Sequence, residues 1–413
     1  MIPVDFESHA SPSIYRRPRP ARDAIVSLEF GIANHQLVPC FRRSCRRPRT
    51  GISATLSAPN LLPWTLQHPS NQRISSRQKA WLWLLLAAAV VRQPSFELPH
   101  HAPRLDVSLN VCKQKRLTIT GLDLAIASTL YQNGAEKIYI LGRRHDVLLK
   151  AVQKLQSDVP SEPNTSTSVK EVVCDVTDLN SVKAAAEFIK NDAGYVDVLI
   201  NNAGVIGPKN SQEIYRAQTI QEVSDSMVLG WDGWQSAMAI NTQSVIGVSA
   251  TFLPLLEAAN TRRGWAPGKV TGTANARARD TLNLSANNIA PDDDRMAHII
   301  TIASVASFNR WISAGLAYSA TKSAAAHLGK MMSTFLAEWG IRSNIICPGP
   351  YPSDMTAGNN PVFGTNQVPQ GRMGGINDVA GLMLFLVGKG GAYVNGCVQL
   401  SDGGRVGVFP GTY

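Results

Sequence analysis

From about residue 116 to the C-terminus, short apolar runs alternate with longer amphipathic ones. The short runs are rich in β-branched residues, and the longer ones repeat their apolar positions with a helical period. The pattern predicts seven strands, at residues 116–120, 137–141, 169–174, 197–200, 298–303, 342–346 and 397–400. Helices are predicted between the first four of them, at 124–132, 146–156 and 181–191.

Regular alternation of strands and helices favours right-handed crossovers and a parallel sheet with helices on both faces. We therefore expect residues 106–413 to form an α/β domain with a Rossmann-type doubly wound parallel sheet of about seven strands. Ligands of such a sheet bind outside the carboxyl ends of its strands. Residues 260–297 interrupt the alternation, because they are polar and lack a period. They predict a surface insertion whose irregular sequence leaves mobility open.

Residues 1–105 differ from the rest of the chain. They contain 12 of the 24 prolines and several Arg tracts, and no Met occurs between Met1 and Met227. We expect this basic, Pro/Arg-rich extension to be disordered, or to be translated sequence from outside the functional protein. A targeting presequence or a basic binding arm is the alternative.

The net charge of +10 lies almost entirely in this extension, which alone carries +9. The rest of the chain is nearly neutral, so we expect no nucleic-acid partner for the folded part. The strongly apolar run 80–91 has twelve residues. As a helix it would span about 18 Å, against about 30 Å of membrane hydrocarbon, so no membrane span is predicted.

The six cysteines are scattered along the chain without zinc-type or disulfide-scaffold spacing, and they predict free thiols. No cluster of His, Cys or carboxylate residues has metal-ligand spacing either, so no metal is expected.

Tyr318 and Lys322 are four residues apart in an Ala-rich run of helical period. Positions i and i+4 share one face of a helix, so both side chains point the same way. A phenol with a pKa of about 10 is a poor acid or base at neutral pH, and a neighbouring ammonium lowers that pKa. The pair is therefore suited to proton transfer at a carbonyl or alcohol oxygen.

Other polar residues lie at or near the carboxyl ends of predicted strands. Ser304 follows one strand, the motif NNAG at 201–204 ends another, and Pro348-Gly349 closes a third. Asn241 lies in an apolar helical run, where an amide without a hydrogen bond would be costly. Structural interpretations stay open for single residues, since the asparagines of NNAG could cap a turn and Asn241 could be a satisfied core amide.

Taken in order, NNAG, Asn241, Ser304, Tyr318 with Lys322, and Pro348-Gly349 resemble the short-chain dehydrogenase/reductase family. The resemblance covers residues 113–404. The later motifs PGPYPSDMT, GRMGG and LSDGG resemble ketoacyl-reductase-like members found in fungal and bacterial secondary metabolism.

The resemblance implies a role for each matching residue. Tyr318 is then the general acid and base, and Lys322 lowers the pKa of Tyr318 and binds the nicotinamide ribose. Ser304 orients the substrate, and Asn241 holds a water for proton relay. The cofactor-binding set implied by the same motifs is Asn202, Ala203, Gly204, Tyr318, Lys322, Pro348, Gly349 and Thr356.

Arg143 and Arg144 follow the second predicted strand. An acid at this point accepts the ribose hydroxyls in NAD-binding folds, whereas two arginines offer charge-assisted bonds to a 2′-phosphate. The pair predicts NADP (NADPH) as the cofactor, with a solvated basic turn as the alternative. By resemblance, Asp175 meets the adenine ring.

The family's first strand ends in T-G-x-x-x-G-x-G, whose glycines let the backbone approach a pyrophosphate. The matching segment at 118–126 reads TITGLDLAI, in which Gly121 keeps its cofactor-binding place. About four residues are missing after it, and Asp123 stands at the last glycine. Either codons are missing from the gene sequence, or the chain binds its cofactor poorly.

We therefore predict an NADP(H)-dependent oxidoreductase that interconverts a ketone and a secondary alcohol, acting as a reductase on a small molecule. Its substrate should lie between Ser304, Tyr318 and the loop 351–373. The alternative is a non-catalytic relative with impaired cofactor binding. The resemblance implies a homo-oligomer, either a dimer or a tetramer. We expect a cytoplasmic location, although the basic extension leaves organelle targeting open.

Overall fold

The computed structural model describes residues 30–33, 36–39, 106–110, 121–158, 167–272, 276–353, 355–356 and 362–411. The chain divides into two units, Met1–Gln93 and Pro94–Tyr413. In the first unit, β1 (Phe30–Ala33) and β2 (Gln36–Pro39) form an antiparallel hairpin. The apolar run 80–91 lies outside the described residues, as does most of the extension for which we predicted disorder.

The second unit is built on one seven-stranded parallel sheet, in the order β5-β4-β3-β6-β7-β8-β9. The strands are β3 (Asp106–Asn110), β4 (Lys137–Gly142), β5 (Ser168–Val173), β6 (Val198–Asn201), β7 (His298–Ile302), β8 (Arg342–Pro348) and β9 (Val398–Ser401). The order runs outward in both directions from the pair β3 and β6. This is the doubly wound arrangement predicted from the alternation of strands and helices.

Ten α-helices lie in the described part of this unit. They are α1 (Leu122–Gln132), α2 (His145–Asp158), α3 (Leu179–Asp192), α4 (Ser211–Arg216), α5 (Ile220–Val228), α6 (Gly233–Met238), α7 (Ser244–Arg262), α8 (Leu316–Phe335), α9 (Ile376–Val387) and α10 (Arg405–Val408). A π-helical turn, Ala239–Gln243, joins α6 to α7. Within the described residues, the stretch Gly233–Arg262 alone is long and apolar enough to cross a membrane. Half of its most apolar window is buried, as in the core helix of a globular domain.

Both faces of the sheet are buried. In β4, Tyr139 and Leu141 join the core packed by α3, α7 and α8, whereas Ile138 and Ile140 join the core packed by α1, α2 and α9. Successive side chains of a strand point to opposite faces, so a strand covered on both sides must be apolar throughout. This requirement explains the nearly unbroken apolar runs of β4 and β6.

The first strand of the sheet is not the one that we predicted. Residues 116–120 lie outside the described residues, and β3 pairs with both β4 and β6 at the centre of the sheet. Two five-residue runs with alternating apolar positions, DVSLN and RLTIT, stand ten residues apart, and periodicity cannot choose between them. Residues 111–121 connect β3 to α1, so this connection is longer than predicted.

Most described residues of the insertion 260–297 lie at the surface, and a few buried ion pairs attach the insertion to the domain. The Arg263 guanidinium, 1% exposed, bonds to Asp197 just before β6 and to Asp293 within the insertion, both at 2.9 Å. Arg295 bonds to the same Asp293 carboxylate at 2.7 Å. Buried charges need such partners, so Arg263, Asp293 and Arg295 form an internal cluster. The neighbouring Asp292 and Asp294 are exposed.

Candidate active site

Ser304 and Tyr318 meet at the carboxyl end of β7. Ser304 begins a short turn after the strand and accepts a hydrogen bond from the Ala306 N–H at 3.2 Å, while Tyr318 lies in the first turn of α8. Burial raises the pKa of the Tyr318 phenol. The Ser304 side chain lies close enough to the phenol to lower its pKa, which opposes this rise without reversing it.

Lys322 lies one helical turn after Tyr318 and is 3% exposed. Its ammonium donates to the Ile302 carbonyl at 2.8 Å, and burial lowers the pKa of Lys322 to about 8. The predicted direction of the Tyr318 pKa is therefore wrong for this structure. Burial disfavours the charged forms of both groups, so it raises the pKa of the phenol and lowers that of the ammonium.

Gly204 lies against Lys322 and Asn241. A Cβ at Gly204 would stand 3.1 Å from Lys322 Nζ and 3.4 Å from Asn241 Oδ1, so any larger residue would crowd these two side chains. The loop is also held by Asn201, which donates to Ser249 Oγ at 2.9 Å. Ala203 is buried between them. The NNAG motif therefore brings its backbone directly to the side chains of Lys322 and Asn241.

Asn241 lies in the π-helical turn rather than in a regular helix. Its amide donates to the Val205 carbonyl at 2.8 Å and to Thr321 Oγ1 at 2.9 Å, and its oxygen accepts from the Val205 N–H at 2.8 Å. A π-turn inserts an extra residue, and such turns are frequent at functional sites. These bonds make Asn241 the link between the loop after β6 and α8, next to Lys322.

The loop after β8 begins at Pro348-Gly349. A Cβ at Gly349 would stand 2.7 Å from the Asp402 Cα, so Gly349 permits the close approach of the segment after β9. Further along, Thr356 Oγ1 donates to the Tyr351 carbonyl at 2.7 Å and accepts from the Ser353 N–H at 2.9 Å. Thr356 thus closes a turn of its own loop. Its predicted contact with the cofactor stays a prediction.

A polar cavity of about 310 Å³ lies beside this loop. Its lining includes Tyr351, whose hydroxyl bonds to Ser401 at 2.6 Å, and Arg372, which pairs with Asp378 at 2.6 Å. The cavity lies among residues of the predicted substrate loop 351–373. The Tyr351 hydroxyl and the Arg372 guanidinium on its wall are therefore already bonded to partners within the protein.

A second cleft lies at the carboxyl end of β4, where the sequence predicted the cofactor's adenosine end. Arg143 and Arg144 line it together with Asp123. Arg143 stands 3.9 Å from Asp175, and this ion pair joins the ends of β4 and β5. The Nη2 atom of Arg144 is buried and has no hydrogen-bond partner among the described residues. Because a buried guanidinium nitrogen normally has an acceptor, this atom suits an anionic ligand such as a 2′-phosphate.

Asp123 opposes such a ligand. Gly121 precedes the first turn of α1, and Asp123 lies in that turn with its carboxylate bonded to the Asn202 amide. The carboxylate occupies the end of a helix that would otherwise attract a phosphate. The contact between Asp123 and Asn202 was not predicted, because nothing in the sequence relates positions 79 residues apart. The described residues therefore favour the 2′-phosphate of an NADP-type nucleotide at Arg144, but disfavour a phosphate at the start of α1, where Asp123 lies.

No group of three His, Cys, Asp or Glu residues suited to a metal ion occurs among the residues that the structure places. The three described cysteines, Cys174, Cys347 and Cys397, are free thiols. Burial raises the pKa of Cys347, beside Lys322, to about 12, so its sulfur stays protonated at neutral pH.

Two family models match consecutive parts of the chain. Residues 118–264 match the short chain dehydrogenase model, and residues 273–405 match the model described as enoyl-(acyl carrier protein) reductase. Together they include β4 to β9 and every catalytic residue predicted from the sequence.

Curated relatives match over most of their length. The short-chain dehydrogenase/reductase SAT3 of Stachybotrys chartarum is 31% identical over 298 residues, which are 70% of this chain and 100% of that protein. The short-chain dehydrogenase/reductase PhomF of Diaporthe leptostromiformis is 33% identical over 312 residues, which are 71% of this chain and 90% of that protein. These fungal relatives agree with the closer resemblance noted in the later motifs.

Solved structures share the fold. The Pseudomonas aeruginosa RhlG/NADP complex has a TM-score of 0.53 at 24% identity and covers 75% of this chain and 99% of its own. A Burkholderia cenocepacia gluconate 5-dehydrogenase in complex with NADP and tartrate has a TM-score of 0.51 at 22% identity, covering 74% and 97%. Sequence relatives and shared fold agree, and this chain belongs to the short-chain dehydrogenase/reductase family of oxidoreductases.

Proposed function

We propose that the chain is an NADPH-dependent reductase that converts a ketone to a secondary alcohol. The observation that carries this proposal is that Ser304, Tyr318 and the buried Lys322 all lie at the carboxyl end of β7, where Lys322 donates to the Ile302 carbonyl. Two hydroxyls at the carboxyl end of β7 can both donate to one carbonyl oxygen, which is the geometry that polarises a carbonyl for attack.

Each side chain has a defined part in this reaction. Nicotinamide, when bound, supplies a hydride to the carbonyl carbon. Ser304 donates a hydrogen bond to the carbonyl oxygen, and Tyr318 transfers its phenolic proton to that oxygen as negative charge develops. The raised pKa of Tyr318 keeps this proton on the phenol at neutral pH, which suits reduction. Lys322 provides a positive charge near the phenolate that remains after proton transfer. Asn241 links the loop after β6 to α8.

The preference for NADPH rests on Arg144. Its buried Nη2 lacks a partner within the described ranges, and Arg143 lines the same cleft. RhlG and the gluconate 5-dehydrogenase named above bind NADP in their solved complexes, which accords with this choice. Asp175 is held by Arg143 near the same edge, where by resemblance it would meet the adenine ring. Gly121, Asn202 and Thr356 complete the proposed cofactor set.

The first experiment measures the melting temperature of the full chain with NADPH and with NADH. A ligand at 100 times its dissociation constant adds about 2.7 kcal/mol to the stability of the native state. We expect a larger rise with NADPH, and NADPH oxidation in the presence of ketones. Tyr318→Phe should keep the thermal shift and lose activity by a factor of about 10²–10⁴. Activity that survives in Tyr318→Phe contradicts the proposed mechanism.

The second candidate function, a non-catalytic relative, is favoured by one contact, that between Asp123 and Asn202. If the carboxylate prevents cofactor binding, the wild-type chain will show no thermal shift, and Asp123→Asn will restore one. Glu187→Gln, which removes an exposed carboxylate of α3, is the charge-matched control and should restore nothing. A shift with the wild-type chain excludes this candidate.

We also propose that the protein is a homo-oligomer. Apolar side chains of α7 and α8 are exposed on the monomer, namely Ile246 at 40%, Met331 at 48% and Phe335 at 52%. Covering such surface is the usual reason for association. Light scattering on the chain, and on a chain that lacks residues 1–105, tests both the assembly and the proposal that 106–413 is the functional domain. A cytoplasmic location remains our proposal, and imaging of the same two chains tests it.

A further inference from the structure

Two aromatic rings stack on each other where the loops after β6 and β7 meet. The rings of Tyr215, in α4, and Trp311 have centroids 4.1 Å apart and planes inclined by 11°. Tyr215 is 43% exposed and Trp311 is 46% exposed, so the stacked pair is only half covered. Large aromatic side chains contribute most to binding energy when they are buried. A stacked pair that is half exposed can therefore bury further area against a ligand.

The position of the pair relates it to the proposed chemistry. Trp311 stands midway between Ser304 and Tyr318 in sequence, on the loop that joins them. Tyr215 follows the NNAG loop after β6, and its hydroxyl accepts the Ile312 N–H at 2.7 Å. The two rings therefore come from the carboxyl ends of neighbouring strands. Ligands of a doubly wound sheet bind at that edge.

The loops that carry the rings are fixed rather than loose. Gly315 has a φ of +107°, and a Cβ there would stand 2.3 Å from the Pro208 carbonyl. Asn210, fully buried, accepts the Leu316 N–H at 3.2 Å. A ring held by such contacts can bind a ligand without first losing the freedom of a mobile loop.

The segment that carries a second aromatic pair packs against Pro208. Pro208 lies against Gly230 and Gly233, which flank Trp231, and Trp231 in turn packs beside Trp234 with centroids 6.1 Å apart. Trp231 is 64% exposed. Two pairs of aromatic rings therefore occur on segments that pack against the Pro208 region.

We propose, on the basis of the proposed reductase function, that Tyr215 and Trp311 form a platform for the flat part of the substrate, and that the natural substrate is an aromatic or conjugated ketone. A planar ring system stacks on the exposed faces of the pair while its carbonyl reaches Ser304 and Tyr318. A saturated ketone of the same skeleton has no flat face to stack and gains little from the platform.

The test compares 1-tetralone with 1-decalone, which share a bicyclic skeleton and differ in the aromatic ring. With the full chain and saturating NADPH, Trp311→Ala should raise the KM for 1-tetralone about threefold to tenfold. The KM for 1-decalone should change much less. Trp311→Leu, which keeps apolar bulk but no flat face, should behave like Trp311→Ala and guards against a folding defect. Tyr215→Phe removes only the hydroxyl and should preserve the preference for 1-tetralone.

Trp339→Ala is the matched control, because Trp339 is 41% exposed and precedes β8 at the opposite edge of the sheet. It should leave both KM values unchanged. Equal changes for the two ketones in Trp311→Ala overturn the platform. A change of oligomeric mass in that variant with an unchanged KM ratio also overturns it, because the rings then cover a second copy of the chain.

A binding measurement separates this proposal from the reductase proposal. 1-Naphthol should bind the wild-type chain and bind Trp311→Leu more weakly, in an assay that needs no turnover. If it does so while neither ketone is reduced, the platform stands and the reductase proposal fails. If ketones are reduced but 1-naphthol binds both chains equally, the platform fails and the reductase proposal stands.

Discussion

The lowered pKa of the buried Lys322 ammonium predicts how the proposed reaction depends on pH. Burial lowers the pKa of Lys322 to about 8 and raises that of Tyr318. Below pH 8 both groups hold their protons, so Tyr318 can act as an acid with a cation beside it. Above pH 8 Lys322 loses its proton before Tyr318 does. The Tyr318 phenolate that forms on proton transfer to the substrate is then no longer stabilised by a neighbouring positive charge. We expect the rate of reduction to be level up to about pH 8 and to fall above it.

Lys322→Arg tests this assignment, since a guanidinium keeps its charge across the accessible range. The variant should be slower, because a larger group must fit beside Gly204, but its rate should not fall near pH 8. Single-turnover rates with bound NADPH, measured from pH 6 to 10, give both profiles. If the two profiles fall at the same pH, another group limits the reaction.

At the scale of residues, features that depend on the spacing of residues along the chain could be predicted from the sequence. Features that depend on how deeply a side chain is buried could not. The separation of Tyr318 and Lys322 by one helical turn could be predicted because it follows from helix geometry. The direction of the Tyr318 pKa could not, because it follows from how deeply α8 packs against β7. The bond between Asp123 and Asn202 was also beyond prediction, since it joins two loops whose separation only the fold determines.

At the scale of elements, the segment after β9 holds two loops of the site at once. The Pro410 carbonyl accepts the Arg310 N–H at 2.7 Å, and Gly411 pairs with Asn309 in an antiparallel bridge. The same segment reaches the loop after β8, where Gly403 accepts the Gln370 N–H at 3.1 Å. The loop between Ser304 and Tyr318 therefore depends on backbone contacts from a distant part of the chain.

Deleting residues 410–413 should loosen that loop without touching the cofactor cleft. A backbone hydrogen bond contributes about 1 kcal/mol, so kcat/KM for a ketone should fall about fivefold with an unchanged NADPH affinity. Pro410→Ala is the control, because the bond is made by the backbone carbonyl, which the substitution retains. A deletion that weakens NADPH binding as much as it slows turnover shows a general loss of structure instead.

The sequence located an element best where only one segment of the chain fitted the expected pattern. The strands β4 to β9 were all found within two residues of their ends, because each carries a short run of β-branched or apolar residues between longer helical segments. The first strand was misplaced because two runs carry the same alternation, and only pairing with β4 and β6 distinguishes them. The π-turn at Asn241 escaped prediction because an extra residue in a helix leaves the apolar pattern nearly unchanged.

For the whole molecule, the parallel sheet followed from the alternation of strands and helices, whereas the attachment of the insertion 260–297 did not. From composition alone, all of its Arg and Asp residues were expected to lie at the surface. The structure places Arg263, Asp293 and Arg295 inside, at the amino ends of the strands and opposite the proposed active site. The domain therefore holds a buried ionic cluster at one edge of the sheet and its candidate chemistry at the other.

This cluster predicts how the stability of the domain depends on pH. Burial alone would raise the pKa of Asp293, but bonds and charges from Arg295 and Arg263 outweigh it and lower the pKa to about 2. A carboxyl with a lowered pKa binds its proton more weakly in the folded state than in the unfolded state. Its contribution is thus complete above about pH 4 and is lost as the pH falls towards 2. Asp293→Asn removes the charge at every pH and leaves two buried guanidiniums with too few acceptors, at a cost of about 3–5 kcal/mol.

Urea unfolding of both chains between pH 7 and 3 tests this prediction. The difference in unfolding free energy between wild type and Asp293→Asn should be largest at neutral pH and should narrow below pH 4. In that range the unfolded chain binds a proton at Asp293, whereas the folded carboxylate, with its pKa of about 2, does not. Asp292→Asn supplies the control, since its exposed carboxylate bonds to Lys389 at 2.9 Å in solvent and should matter far less. A difference that stays constant with pH, or an equal loss in Asp292→Asn, shows that the buried cluster does not hold the insertion to the sheet.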